Sequence, residues 1–241
     1  MALGASHKHA GPASPAPAVV GRSDPAVALP RATAPLPSRS LTVYLCDEAR
    51  AAIMRGMLMK DDGARERSYA SAETDARRAL ALDSASLDAR YWLAAAEGMR
   101  AGFGGLRHRL RLGEDVYHLA QSILEVDPDN ADGHYLMGRL NIEIMTLNAV
   151  ARFIAGHLLG AELIRQASWE QAERNLLAAV HADPRNAMDR LALARVYAAT
   201  GRDAQSQAQI QTLFDATDPT PITPLVEAQA RALLHSLRPA G

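Results

Sequence analysis

Three related phrases recur along the chain, and each one joins the end of one helical pattern to the start of another. They read ALALDS (79–84), ILEVDP (123–128) and AVHADP (179–184), and amphipathic runs such as ADGHYLMGRL follow them. An aspartate before a proline ends a helix, because the residue preceding proline is excluded from the α region. The chain is therefore predicted to consist of helix pairs, which bury their apolar faces only when they stack on one another.

The spacing of these phrases identifies the type of repeat. Ser84 and Pro128 lie 44 positions apart (128 − 84), and Pro128 and Pro184 lie 56 apart (184 − 128). A plain tetratricopeptide repeat has a period of about 34 residues, so the two units carry about 10 and 22 extra residues. We place the first surplus at Gly102–Gly113 and interpret its first part, Gly102–Arg107, as a flexible connector. The second falls at Leu147–Gln166, where Phe153, Ile154, Leu158 and Leu159 predict a short helix packed on the repeats.

The last complete unit shows the repeat most clearly. In residues 167–206, Ala172 and Ala179 recur on one helical face and Ala194 on the next, where two helices must approach closely. Larger side chains such as Leu176 and Tyr197 fill the gaps between them. These patterns predict an all-α fold, a tetratricopeptide-like helical-repeat solenoid with insertions within two repeats.

Composition limits the function classes. Hydrophobic residues make up 48% of the chain and the net charge is −1, so there is no global attraction to nucleic acid or an anionic membrane. The single cysteine, Cys46, excludes an intramolecular disulfide. No apolar run approaches the ~20 residues of a transmembrane helix. We expect no cofactor or metal, because the eight histidines lack metal-binding spacing, and we expect a cytoplasmic protein. Export is the alternative, if an upstream signal peptide is missing from this sequence.

The chain divides into a tail and a repeat domain. Seven of the 13 prolines lie in residues 1–40, where periodic apolar residues are scarce. This composition predicts a disordered Pro/Ala-rich tail over residues 1–40. The tetratricopeptide-like domain is predicted to cover residues 41–238.

Three further phrases, in a fixed order, resemble a known family. DPDNADGHYLMGR (127–139) is followed by ARFIAGHLLG (151–160) and then by ASWEQAE (167–173), with the long insertion between the first and last. From Ser68 to about Ala208 the chain resembles the regulator of microtubule dynamics family, in its bacterial-type relatives. The resemblance implies an all-helical scaffold without catalytic residues. Animal members of the family are linked to microtubules and to organelle contacts.

Two arginines and two tyrosines are candidate groove residues. The first helix of each pair lines the concave side of such solenoids. Arg139 and Arg195 occupy equivalent positions, 56 apart (195 − 139), and Tyr135 and Tyr91 are equivalent in consecutive units. We expect these four side chains to bind an extended peptide or its carboxylate. The alternative is that both arginines only pair with neighbouring carboxylates.

A basic cluster is a second, weaker candidate site. Arg107, Arg109 and Arg111 lie close together in sequence and would suit an anionic partner. Glu114 and Asp115 follow directly and offset the charge, which favours a solvated face. The other carboxylates are interpreted as solubility groups on helix surfaces.

Three functions from different classes remain open. A non-catalytic scaffold that binds a protein or peptide of unknown identity in its groove is the first. A structural solenoid that self-associates into a homo-oligomer is the second. Catalysis is the third, and it would require a pocket with converging titratable groups.

Deletion of residues 1–40 tests the predicted tail. Because proline-rich, aperiodic sequence buries little apolar surface, the shortened protein should keep its helical circular dichroism and its melting temperature. A large drop in either quantity would contradict the prediction.

Overall fold

The computed structural model describes residues 38–148, 151–152, 161–216 and 218–237, and these belong to one compact unit, Leu36–Gly241. The described residues contain helices, turns and irregular segments but no strand. The helices are α1 (Ser38–Leu58), α2 (Asp62–Leu82), α3 (Leu87–Arg100), α4 (Leu106–Val126), α5 (Ala131–Thr146), α6 (Ala161–Gln166), α7 (Trp169–Ala182), α8 (Ala187–Ala199), α9 (Asp203–Ala216) and α10 (Thr223–Ser236). The predicted all-α fold is confirmed.

The helices form two layers. An inner layer contains α1, α3, α5, α8 and α10, and each of these packs on the next. An outer layer contains α2, α4, α7 and α9, each antiparallel to the inner helix that precedes it along the chain. This is the stacked helix-pair arrangement predicted from the repeated phrases.

The same turn ends the outer helix of three consecutive units. Asp83, Asp127 and Asp183 each donate a backbone N–H to the carbonyl four residues earlier. The carboxylate of each then accepts a hydrogen bond from the backbone N–H two residues later. The turn therefore satisfies its own polar groups, and the next helix can begin four residues after each aspartate.

One side chain in each inner helix joins this turn to the following outer helix. Arg90 donates to the Ser84 carbonyl and to the Ser122 carbonyl of α4, both at 2.8 Å. The equivalent residues, His134 and Arg190, contact the equivalent turn carbonyls of Pro128 and Pro184 at 2.9 and 2.6 Å. Their second contacts are Asn175 Oδ1 on α7 and Gln209 Oε1 on α9. We call this repeated contact the turn clamp.

Small residues set the distance between the layers. Ala94 and Ala194 are fully buried at equivalent positions of α3 and α8, and Gly138 occupies that position in α5. A Cβ atom on Gly138 would lie 2.6 Å from Cγ of Leu176 on α7. The α5–α7 pair is therefore packed too closely for any larger side chain at this position.

The first surplus segment is not the flexible connector that we predicted. Residues 101–103 form a short 3₁₀ turn, and α4 begins at Leu106 and extends for 21 residues. The ring of Phe103 packs 5.9 Å from that of Tyr69, with the Arg65 guanidinium on its face. The extra residues of this unit therefore lengthen the outer helix α4. The contacts of Phe103 with Tyr69 and Arg65 hold the residues before α4 against α2.

The second surplus segment is described in part. Ile164 of α6 packs against Leu110, with Leu106 and Leu147 beside it. The guanidinium of Arg152 donates to the carbonyls of Met145 and Leu147. The predicted helical face of Phe153, Ile154, Leu158 and Leu159 lies outside the described residues.

The predicted tail also lies outside the described residues, apart from its last positions. Helix α1 begins at Ser38, slightly before the start at Leu41 that we expected. Within the described helices, none combines the length and apolar character that crossing a bilayer requires.

Substitution of Gly138 tests the close packing of α5. We expect Gly138→Ala to lower the free energy of unfolding by about 1–3 kcal/mol in urea denaturation, because the new methyl group overlaps the Leu176 side chain. Gly98→Ala in α3 is the matched control, since its Cβ would meet only Val116 at 4.0 Å. That change should be neutral or stabilising by up to about 1 kcal/mol through helix propensity. Equal effects of the two substitutions would contradict the packing argument.

Candidate functional site

A cavity of about 560 Å³ lies along the inner layer. Its wall is predominantly apolar and receives side chains from α1, α3, α4, α5, α6, α8 and the α10 region. The apolar contributors include Ile53, Met54, Met57, Trp92, Met99, Leu110, Leu136, Leu140, Ile144, Ile164, Met188, Ile222 and Val226. Its size and apolar wall are typical of ligand and peptide sites.

The first helix completes the wall of this cavity. Met54 and Met57 of α1 pack against the hydrophobic cluster that α8, α9 and α10 form, which includes Ile222 and Val226. These methionines therefore bring the start of the described chain into contact with its end.

Methionine contributes a large share of the cavity wall. Met54, Met57, Met99 and Met188 line it, and the whole sequence contains eight methionines. Methionine is unbranched and polarisable, so it adapts to ligands of different shape. A wall of this kind favours binding of an apolar segment without demanding one fixed contour.

The structure places three of the four predicted groove residues in the cavity wall. Tyr91, Tyr135 and Arg139 line the cavity. Arg195 is not among the described lining residues, and burial, followed by the like charge of Arg139, lowers its pKa. Burial raises the pKa of the Tyr135 hydroxyl, and the two arginines oppose that shift.

The two arginines have different partners. Arg139 Nη2 donates to Glu143 Oε1 at 2.9 Å, one helical turn away, which is the local pairing that we left open as the alternative. Arg195 Nη2 donates to the neutral amide oxygen of Gln229 on α10 at 2.6 Å. Among the described residues Arg195 forms no ion pair, so its positive charge is not compensated by a direct contact.

The basic cluster does not form one face. Arg107, Arg109 and Arg111 are all exposed and lie in the first two turns of α4. Arg109 lines the cavity, whereas Arg107 and Arg111, four residues apart, share another side of the helix. The helix therefore separates the three arginines into a cavity residue and a surface pair.

A buried carboxylate at the cavity was not predicted from the sequence. Asp189 lines the wall and is 1% exposed, so it is not a solubility group. Burial raises its pKa from the ordinary 3.8 to about 8, and the nearby Asp132 and Asp183 add to this shift. Burial also raises the pKa of Asp132 to about 6. Alignment of the repeats indicates this position, because Asp189 stands where the preceding units have the small residues Ala89 and Gly133.

A second buried carboxylate lies outside the cavity wall. Glu97 of α3 is 2% exposed, and its Oε1 accepts a hydrogen bond from Arg77 Nη2 of α2 at 2.7 Å. Its Oε2 has no hydrogen-bond partner in the described structure. Burial, with a contribution from Asp115, raises the pKa of Glu97 to about 7.

The fold and the cavity define an all-helical repeat protein of the tetratricopeptide class. Its fold is similar to the crystal structure of a thermophilic TPR protein of Thermus thermophilus, with a TM-score of 0.52 and 19% identity. That match covers 78% of this chain and 82% of the other.

The family follows from the sequence model that the chain matches. The chain belongs to the Regulator of microtubule dynamics protein 1-3 family, whose model matches residues 41–238. No curated protein matches the sequence.

The buried carboxylates predict an unusual dependence of stability on pH. Because the pKa of Asp189 is raised on folding, the native state retains a proton that the unfolded chain releases. The stabilisation that Asp189 provides is therefore fully present below about pH 4 and is lost as the pH rises to about 8. In urea denaturation between about pH 4 and 8, the free energy of unfolding should fall less steeply with pH in Asp189→Asn than in the wild type. The difference in slope should be up to about 1.4 kcal/mol per pH unit.

Two variants complete this test. Glu97→Gln should make the free energy of unfolding fall less steeply with pH over a narrower pH range, which ends near pH 7. The exposed Glu125→Gln in α4 should leave the pH dependence unchanged. An Asp189→Asn profile parallel to that of the wild type would show that this carboxyl group is not perturbed by burial.

Proposed function

We propose that this protein is a non-catalytic protein-interaction scaffold whose inner-layer cavity binds an apolar segment of a peptide or protein partner. In this proposal Arg139 and Arg195 bind a carboxylate of that segment, and Tyr91 and Tyr135 contact its side chains. The family and the tetratricopeptide-like fold support the scaffold class. The observation that carries the finer proposal is that Tyr91, Tyr135 and Arg139 together line an apolar cavity.

Charge and burial support a carboxylate ligand. The Arg195 guanidinium is half-buried, and its only described polar contact is a neutral amide. Burial, followed by the like charge of Arg139, lowers the pKa of Arg195, and an anion bound there would stabilise the charged guanidinium. A charge-assisted, bidentate bond to a carboxylate would supply that anion.

Titratable groups do converge at this cavity, which was our condition for considering catalysis. The described wall contains acids and tyrosines but neither histidine, serine nor cysteine. Those three side chains supply most nucleophiles and general bases in enzymes. We therefore propose binding, and not a reaction, as the role of these groups.

Photo-crosslinking from inside the cavity tests this proposal. A benzoylphenylalanine at position 135 should capture a partner in the native cell, because Tyr135 lines the proposed site. Arg139→Ala with Arg195→Ala should lower the captured amount about tenfold or more, which corresponds to at least about 1.4 kcal/mol of binding free energy. Circular dichroism should be unchanged, since neither arginine belongs to a described core cluster.

Matched controls separate the cavity from the rest of the surface. The crosslinker at the exposed Leu177 of α7 should not capture the same partner, and alanine at the exposed Arg78 and Arg174 should not reduce capture. Unfolding of the double variant would make the arginines structural. Capture of only a second copy of the chain from position 135 would replace the proposal with the self-associating solenoid.

A further inference from the structure

One position breaks the repeat pattern of the inner helices. Ala89, Gly133 and Asp189 are equivalent, since they lie 44 (133 − 89) and 56 (189 − 133) residues apart. Ala89 is fully buried, and a Cβ on Gly133 would lie only 2.9 Å from Leu124. Packing therefore requires a small residue in two units, and the third unit has a carboxylate instead.

The Asp189 carboxyl group is not satisfied by its surroundings. The residue is 1% exposed, and its Oδ2 has no hydrogen-bond partner within the described structure. The adjacent Arg190 cannot serve as its direct partner, because that guanidinium forms the turn clamp with the Pro184 carbonyl and with Gln209. A buried carboxyl oxygen without a partner costs stability, so the position does not serve packing.

The groups that face Asp189 are acidic or aromatic. Asp132 of α5 and Asp183 at the end of α7 lie close enough to raise its pKa, and Arg190 of α8 only partly opposes them. Burial raises the pKa of the Tyr91 hydroxyl on α3 and of the Tyr135 hydroxyl on α5, and Asp189 adds to both shifts. Both tyrosines and Asp189 line the cavity.

This combination has the chemistry of a cation site. A carboxylate binds an ammonium group through charge-assisted hydrogen bonds, and tyrosine rings attract cations through their faces. Arg139, by contrast, lies one helical turn beyond Tyr135 on α5 and also lines the cavity. The cavity thus presents both carboxyl and guanidinium groups within a predominantly apolar wall.

We propose that Asp189, Tyr91 and Tyr135 form a binding site for a primary ammonium group, such as a lysine side chain, carried by the apolar segment that occupies the cavity. This inference rests on the proposed function and specifies its ligand. The occupant is an apolar segment that carries a lysine at one end and a carboxylate at the other. The unpartnered Oδ2 of Asp189 accepts the hydrogen bond from the ammonium nitrogen.

Proton balance gives the site a pH dependence. In the empty site the Asp189 carboxyl group holds a proton below about pH 8. When the ammonium group binds, that proton is released to water and an ion pair remains. Ammonium affinity should therefore rise by up to about tenfold per pH unit below pH 8 and then level off. A lysine-type ammonium, with a pKa of about 10.4, stays charged throughout this range.

Two small probes of equal length test the proposal. n-Octylammonium and 1-octanol share the same apolar chain and differ only in the head group. Titration calorimetry at pH 8 on the full chain should show at least about tenfold tighter binding of octylammonium. Asp189→Asn should reduce this preference to within about twofold while leaving octanol binding unchanged. Glu97→Gln is the matched control, because that buried carboxylate lies outside the described cavity wall, and it should keep the full preference.

The wild-type protein alone provides a second measurement, should the variant fail to fold. Calorimetry at pH 7 in two buffers of different ionisation enthalpy should report the release of about one proton per octylammonium bound. No binding of octylammonium, no proton release, or equal affinity for both probes would overturn the proposal. Loss of the ammonium preference in Glu97→Gln would also overturn it. If the crosslinker at position 135 still captures a peptide partner in any of these cases, the scaffold function stands and only the ammonium site fails.

Discussion

The turn clamp is the interaction on which the rest of the structure depends. In each of three units a cationic or imidazole side chain near the start of an inner helix reaches the carbonyl of the preceding turn and a group on the next outer helix. One residue thereby fixes three elements relative to one another: the turn, the inner helix and the outer helix that follows. Hydrogen bonds to charged donors are stronger than neutral ones, so this contact makes the repeat geometry uniform although the units differ in length.

Uniform clamps place the starts of the inner helices beside one another. Near these starts, Tyr91, Tyr135 and Asp189 of three consecutive units contribute to the cavity wall. Asp189 precedes the clamp residue Arg190, whose guanidinium is held by the Pro184 carbonyl and by Gln209. The protein therefore retains a costly buried acid beside a cavity, which is typical of a functional site and not of a packing position. The same carboxyl group connects the stability of the fold to the proposed binding of an ammonium group.

The sequence by itself determined the repeat architecture. Helix ends are local events, because the residue before a proline is excluded from the α region by its immediate neighbour. The spacing of Ser84, Pro128 and Pro184 therefore predicted the positions of the turns, and the register of Tyr91, Tyr135, Arg139 and Arg195 placed them on the inner helices. The register also contained the signal for Asp189, as a carboxylate where Ala89 and Gly133 stand.

Only the tertiary structure decided what surrounds these residues. That Met54 and Met57 pack on the α8–α10 cluster depends on how many units stack and at what angle, which no local pattern specifies. The connector at 101–105 is ordered because Phe103 meets Tyr69 from another helix, a contact between residues distant in sequence. Burial of Asp189 likewise follows from α5 and α7 packing over it, and burial is the cause of its raised pKa. Sequence spacing determines which face of its helix a residue occupies. The dielectric environment and the partners of that residue depend on helices that are distant in sequence and pack around it.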